Sequence, residues 1–357
     1  MPKPQYFEEY LNTGAPQYLL HFPARGVPGD GVPGGGVPGD GVPRDGVPAR
    51  GVPGDGVREE RDADPAPVVL FVHGGPGFSE TFLGYRVKKL LGEAATLVFW
   101  DQRGAGKSLA ASPWPVPYSI TIEDVRRDME AVVAHLKQRY RRDKIIVMGH
   151  SWGSILGSLH AIVHPDDLLV YIAIGQVVEM AENERRAWVE LRSRITQAGN
   201  KKDLAALPTW ESLNYPPGPG KPPPNWVVFN RLRRKYEMVV RLGPRDVLTF
   251  LRNPVFAWSD FSFLRSKVEP LRWDLVRYLE GFDLRREGFD YQVPVAYILG
   301  ELDTTASASL AVEYFEELRA PAKLLTLIPD AGHNPISEAP TAFAAAFHQA
   351  LGLIGEP

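Results

Sequence analysis

The chain has 357 residues, 44% hydrophobic and 23% charged, with a formal net charge of -3 and no cysteine. That length can bury a large core and allows either one big α/β domain carrying an insertion or two ordinary domains. The near-neutral balance argues against electrostatic binding to nucleic acid or an anionic membrane, and the lack of cysteine removes disulfides, thiolate nucleophiles and Cys-type zinc sites.

The opening residues, MPKPQYFEEYLNTG, show no basic segment followed by an apolar one, so no signal peptide is expected. No apolar run reaches the length of a membrane span, and a cytoplasmic location is the expectation. Tyr18 to Phe22 reads as a short strand. From Gly26 to Asp55 the pentads GVPGD, GVPGG, GVPGD, GVPRD, GVPAR and GVPGD run in tandem and close with Gly56-Val57. Read one residue out of phase this is an elastin-like VPGxG repeat, in which Pro-Gly favours a type II turn and nothing supplies a face to pack. Disorder or loosely recurring turns are expected there. Loop-closure cost rises by only about 0.6 kcal/mol per doubling of length, so an expanded repeat tolerated in a surface loop is a better account than an elastic or sticky spacer.

Pro67 to Val72 is an apolar strand running into His73-Gly74-Gly75-Pro76-Gly77, and Leu97 to Trp100 is another, ending in DQRGAGKS at residues 101–108. The second piece superficially suggests a phosphate-binding loop. That motif needs glycine five positions before Gly106, where Asp101 stands, so nucleotide binding is rejected. Thr121 and Asp124 have the spacing of a capping box, and Ile122, Val125, Met129, Val132 and Leu136 follow at helical spacing.

The organising stretch is KIIVMGHSWGSILGSLH, Lys144 to His160. Ile145 to Met148 reads as a buried strand, Gly149-His150-Ser151-Trp152-Gly153 breaks it, and an apolar helical pattern begins. This GxSxG spacing is that of a nucleophile elbow, whose tight strand-to-helix turn crowds any flanking residue that carries a Cβ. Leu168 to Ile174 is a further strand. Beyond it lies a stretch rich in Arg, Trp and Glu, with helical patterns over Asn183 to Thr196 and Phe229 to Leu242 and a proline-glycine loop at Pro216 to Pro224. It reads as an inserted helical cap. Val295 to Leu299 and Leu324 to Ile328 are strands; Leu310 to Leu318 and Thr341 to Leu353 are helices. Alternating strands and helices predict an α/β fold with a mainly parallel sheet flanked by helices. The expected divisions are an N-terminal strand region (1–25), the repeat (26–57), the first part of the core (58–175), the cap (176–290) and the rest of the core (291–357).

A serine hydroxyl needs an imidazole base, and the imidazole needs a carboxylate to hold its tautomer and stabilise its cation. In a fold of this kind the acid and the histidine follow later strands, in that order. Asp303 follows Val295 to Leu299 within Gly300-Glu301-Leu302-Asp303, and His333 follows Leu324 to Ile328 within Asp330-Ala331-Gly332-His333. Glu301 lies too near the strand end, and Asp330 too near His333, to serve as well as Asp303. Of the other histidines, His73 belongs to the glycine turn, His150 is needed only for its backbone, and His135, His160 and His164 lie on or beside helices as structural residues. Donors for a developing oxyanion would be the amides of Trp152 and Gly75. Gly74, Gly75 and Gly77 let backbone approach a substrate unobstructed.

With HGGPG at His73, FWDQRGAGKS from Phe99, GHSWGS from Gly149, GELD from Gly300 and AGH from Ala331, the chain resembles the α/β-hydrolase superfamily. Within it the resemblance is to the prolyl aminopeptidase, or proline iminopeptidase, group of serine peptidases. It covers roughly Pro16 to Leu353 apart from the repeat, which interrupts two early strands. The resemblance implies release of an N-terminal residue, often proline, from small peptides, with cap carboxylates holding the free amine; Glu179, Glu182 and Glu237 are the candidates, beside Gly74 for substrate contact. Some relatives carry glutamate directly after the catalytic acid, where this chain has Thr304. The acids of MAENE also fit a simpler role as first-turn residues favoured by the helix dipole. No metal or organic cofactor is implied, and the partner expected is a small molecule or short peptide. An esterase or amidase for small acyl compounds is the alternative, a non-catalytic scaffold a distant one. Epoxide hydrolases and dehalogenases carry aspartate at the elbow, against which Ser151 argues.

Overall fold

The computed structural model describes residues 5–24, 66–112, 119–216, 223–239, 253–256, 258 and 273–355. The pentad repeat, part of the proline-glycine loop and the end of the Phe229 to Leu242 segment lie outside the described residues. Eight strands form one sheet: β1 (Phe7–Asn12), β2 (Pro16–Phe22), β3 (Val68–Val72), β4 (Thr96–Asp101), β5 (Ile145–His150), β6 (Leu168–Ile174), β7 (Val295–Gly300) and β8 (Lys323–Ile328). Their order is β1-β2-β4-β3-β5-β6-β7-β8. The pairs β1–β2 and β2–β4 are antiparallel, and every other pair is parallel.

Side-chain alternation accounts for the two layers that cover this sheet. On β5, Ile145 and Val147 join one apolar cluster while Ile146 and Met148 join the other; on β3, Val68, Leu70 and Val72 oppose Val69 and Phe71. With both faces buried, the central strands are continuous apolar runs. The first face is covered by α3 (Ile122–Tyr140), α4 (Trp152–Val163) and α10 (Ala308–Glu317), through Val125, Met129, Ile155, Leu159 and Leu310 among others. The second is covered by α1 (Gly84–Leu91) and α12 (Pro340–Leu351), through Val87, Leu91, Phe343 and Phe347. The capping box at the start of α3 forms as its spacing predicts: the Thr121 side chain accepts from the Asp124 amide, and the Asp124 carboxylate accepts from the Thr121 amide.

Between β6 and β7 the described residues hold helices and no strand of the sheet: α5 (Met180–Gln197), α6 (Lys201–Ala206), α7 (Trp210–Leu213), α8 (Pro224–Lys235) and α9 (Trp273–Gly281). Ala187, Leu191 and Ile195 of α5 pack with Trp226, Phe229 and Leu232 of α8 into a separate apolar cluster. The helix expected over Phe229 to Leu242 thus begins earlier, with Pro224 in its first turn, and stops at Lys235. Glu237 turns the chain away with a φ of 56°. No helix among the described residues is long and apolar enough to cross a membrane.

Candidate active site

Ser151 stands between β5 and α4 with φ 54° and ψ -120°, a strained backbone for a residue with a side chain. Packing holds it there. A Cβ on Gly149 would meet the Gly153 carbonyl group, and one on Gly153 would run into the carbonyls of Val72 and His73, so the strand-to-helix turn closes only with glycine at both positions. The Ser151 amide donates to the Ile174 carbonyl at 2.9 Å, and its own carbonyl accepts from the Ser154 amide at 2.8 Å and from the Ser154 hydroxyl at 2.6 Å.

Asp303 and His333 lie on adjacent loops after β7 and β8. The loops are stitched by Glu301 N to Ile328 O at 3.0 Å and Leu302 N to Ala331 O at 2.8 Å. His333 Nδ1 is 2.8 Å from Asp303 Oδ2. The other carboxylate oxygen accepts from the amides of Thr305 at 2.8 Å and Ala306 at 3.0 Å, so buried Asp303 is held as an acceptor on both sides. Its rivals Glu301 and Asp330 are both exposed. On the loop after β8, Glu338 accepts from the amides of Gly332 and Asn334, which flank His333. The His333 ring lies 3.2 Å from where a Cβ on Gly175 would stand, one residue past Ile174. No hydrogen bond joins His333 to the Ser151 hydroxyl among the described residues; such contacts often tighten only when substrate is in place.

The glycine turn after β3 packs against the same serine: a Cβ on Gly74 would stand 3.3 Å from the Ser151 Cβ. Gly75 is exposed with a φ of 121°, where a side chain would also strike the Phe78 amide at 2.7 Å. Gln102 ties this turn to the elbow. Its amide donates to His73 Nε2 at 3.1 Å, its side-chain nitrogen donates to the His73 carbonyl at 2.8 Å, and its side-chain oxygen accepts from Trp152 Nε1 at 2.9 Å. Because His73 Nε2 accepts, its proton sits on Nδ1 and is donated to the Gly74 carbonyl at 2.7 Å. Burial pushes the His73 imidazole below its ordinary value, consistent with that neutral form. The lysine that suggested a phosphate loop is a strut instead: Lys107 Nζ reaches the Tyr18 hydroxyl at 2.7 Å and Glu8 at 3.0 Å.

His150 does more than its backbone requires, which corrects the expectation from sequence. Its Nδ1 lies 2.9 and 3.0 Å from the two oxygens of Glu80, and its Nε2 lies 3.0 Å from the His333 carbonyl. Glu80 also accepts from the Gly74 amide at 2.9 Å. Both side chains are buried. Burial alone would lower the His150 pKa, but the charge and hydrogen bond of Glu80, with the His333 carbonyl, lift it to about 9. Glu80 is raised by burial and lowered by more through His150 and the Gly74 amide, so it sits below the usual glutamate value.

The helical segment grips the loop after β7 that carries Asp303. Asn183 of α5 donates to the Thr305 carbonyl at 2.9 Å and accepts from the Ser307 amide. Arg233 of α8 donates to the Thr304 carbonyl at 3.2 Å and pairs with buried Glu184 at 3.1 Å. Thr304 returns a hydrogen bond to the Met238 carbonyl at 2.9 Å. Two of the three acids expected to hold an amine are engaged elsewhere. Glu179 caps α5 by accepting from the amides of Ala181 and Glu182, Glu182 pairs with Arg185 and Arg186, and Glu237 is exposed at the turn after α8. No group of three or more His, Asp or Glu is placed to hold a metal ion among the described residues.

Comparison with known proteins follows the same lines. A family model described as "Alpha/beta hydrolase family" matches residues 69–346. The probable aminopeptidase YbaC of Bacillus subtilis (strain 168) is 29% identical over 288 residues, covering 78% of this chain and 86% of that protein. A proline iminopeptidase of Heyndrickxia coagulans is 32% identical over 98 residues, covering 27% of this chain and 31% of its own length. The crystal structure of a proline iminopeptidase from Mycobacterium smegmatis superposes with a TM-score of 0.63 at 18% identity, covering 98% of both chains, a likeness of fold.

Proposed function

Since this chain belongs to the alpha/beta hydrolase family, we propose that it is a serine hydrolase working through an acyl-enzyme, with Ser151 as nucleophile, His333 as base and Asp303 as the carboxylate that orients the imidazole. In this mechanism His333 removes the hydroxyl proton as Ser151 attacks a carbonyl, then returns it to the leaving group; a water activated by the same imidazole releases the acyl group. The amides of Trp152 and Gly75 stabilise the oxyanion, and the helices between β6 and β7 act as the cap. The observation that carries this reading is the Asp303–His333 pair at 2.8 Å, with the His333 carbonyl 3.0 Å from the side chain of His150, the residue before a serine in a strained elbow.

The substrate class we infer is a small peptide with a free N-terminal proline or similar residue. The resemblance to a probable aminopeptidase along most of the chain supports it. An esterase or amidase for small acyl compounds is a second reading, favoured by one observation: Glu179 and Glu182 are already committed to capping and ion pairs, and Glu237 is exposed. A fluorophosphonate probe should label the protein and fail to label Ser151→Ala; an unlabelled wild type would defeat the hydrolase reading. Prolyl-naphthylamide should be cleaved faster than its N-blocked form. Equal rates, with faster cleavage of aryl esters, would favour the esterase.

A further inference from the structure

We propose that Glu80 and His150 form a charged positioning pair that sets the glycine turn, the elbow and the His333 loop relative to one another, so that activity persists only while His150 keeps both ring protons. The inference rests on the serine-hydrolase reading above and extends it to two residues outside the triad.

Chemistry around the ring carries it. Both neighbours of His150, the Glu80 carboxylate at 2.9 Å and the His333 carbonyl at 3.0 Å, are hydrogen-bond acceptors. A neutral imidazole donates once and would turn a lone pair toward one of them, whereas the imidazolium satisfies both. Glu80 is the counter-charge, and its second role, accepting from the Gly74 amide at 2.9 Å, reaches the residue before the proposed oxyanion donor Gly75. One ion pair thus touches three separate parts of the site: Gly74 beside the oxyanion turn, the residue before Ser151, and the main chain of His333. Its burial matters because a charge removed from water tolerates no loss of partner. The titratable groups around His150 are Glu80, His73 on the turn after β3, Asp303 after β7, and His333 itself, whose ring centroid is 5.1 Å away.

Neither residue touches the reacting atoms in this scheme, so both are positioning residues. The test is the pH dependence of fluorophosphonate labelling, with a probe that has no ionisable group, paired with NMR of ¹⁵N-histidine protein in which the His150 ring is assigned from its loss in His150→Gln. The wild type should label at a rate that falls on the alkaline side with a midpoint near 9, matching the NMR titration of His150. His150→Gln should label about ten- to a hundred-fold more slowly at neutral pH, as a small misplacement of reacting groups costs, and lose that alkaline fall. Glu80→Gln should instead move the midpoint down, to the ordinary imidazole value of roughly 6.5 or below it. A purely structural pair would change rates and melting temperature without moving the alkaline midpoint. Midpoints from labelling and NMR that disagree in the wild type, or a limb unchanged in a folded Glu80→Gln, overturn the proposal, and the first comparison needs no active variant. A wild type that takes no label at any pH defeats the hydrolase reading and this inference with it; one that labels with no alkaline fall defeats the inference alone.

Discussion

Replacing Asp303 by asparagine isolates what the carboxylate does for His333. One side-chain oxygen of Asp303 accepts from the amides of Thr305 and Ala306, and an asparagine oxygen can take over both bonds. The amide nitrogen then faces His333 Nδ1, where Asp303 now accepts at 2.8 Å. Two donors cannot share that line, so the imidazole must put its proton on Nε2, the nitrogen needed to receive the serine proton. In the serine-protease template the same exchange lowers turnover by about 10⁴, equivalent to about 5.5 kcal/mol of transition-state stabilisation. Stability should fall by much less, about 1–3 kcal/mol for a charge-assisted hydrogen bond lost while the shape is kept. Hydrolysis of an activated ester reads the first effect and urea denaturation the second. A folded Asp303→Asn that keeps activity within tenfold of wild type would refute the assignment of this contact as the tautomer-setting one.

Other outcomes follow from the packing. Gly153→Ala should lose roughly 1–3 kcal/mol or more to overpacking against the Val72 and His73 carbonyls, measured by urea titration, and should lower labelling of Ser151 in parallel. Thr121→Ala removes the side-chain cap of α3 and should cost about 1 kcal/mol with labelling unchanged. His150, lifted from an ordinary 6.5 to about 9, contributes stability that is fully present below about pH 6.5 and is lost as pH rises through 9. Glu80, held below its ordinary 4.5, contributes stability present above that pH and lost on acidification. Melting temperature should therefore decline on the alkaline side, and His150→Gln should flatten that decline; an equal slope in both proteins would be the contrary result. Deleting residues 26–57 should leave melting temperature and labelling rate nearly unchanged; a deletion that unfolds the protein would show that the repeat is no tolerated insertion.

The central strands were legible because a sheet buried on both faces makes apolar runs that end abruptly in polar or glycine turns, and β6 coincides with the expected Leu168 to Ile174. β1 escaped for the opposite reason. As an edge strand it alternates half-buried and exposed residues, and in FEEYLN the inward Glu9 is charged, paired with His21, His135 and Arg139 instead of packed in apolar surroundings. The elbow and the placing of Asp303 and His333 on loops after successive strands could be read because local turns and chain order encode them. The Glu80–His150 pair could not, since 70 positions separate partners that share no periodicity. The same holds for Gln102, whose three contacts depend on β4 lying beside β3, and for Asn183, which reaches from α5 to the Thr305 carbonyl. Carboxylates such as Glu179 and Glu182 invite a binding role in sequence, yet their partners are local, the first turn of α5 and the arginines three and four residues on, in keeping with the simpler reading of MAENE.

The grip of Asn183 and Arg233 on residues 304–307 carries a mechanical corollary. Asp303 begins the clamped stretch, so the proposed catalytic carboxylate is not anchored to the sheet alone but is shared with the overlying helices. In the proposed mechanism, a ligand that leans on α5 or α8 would also press on the carboxylate behind the imidazole, so substrate shape would act on catalytic competence.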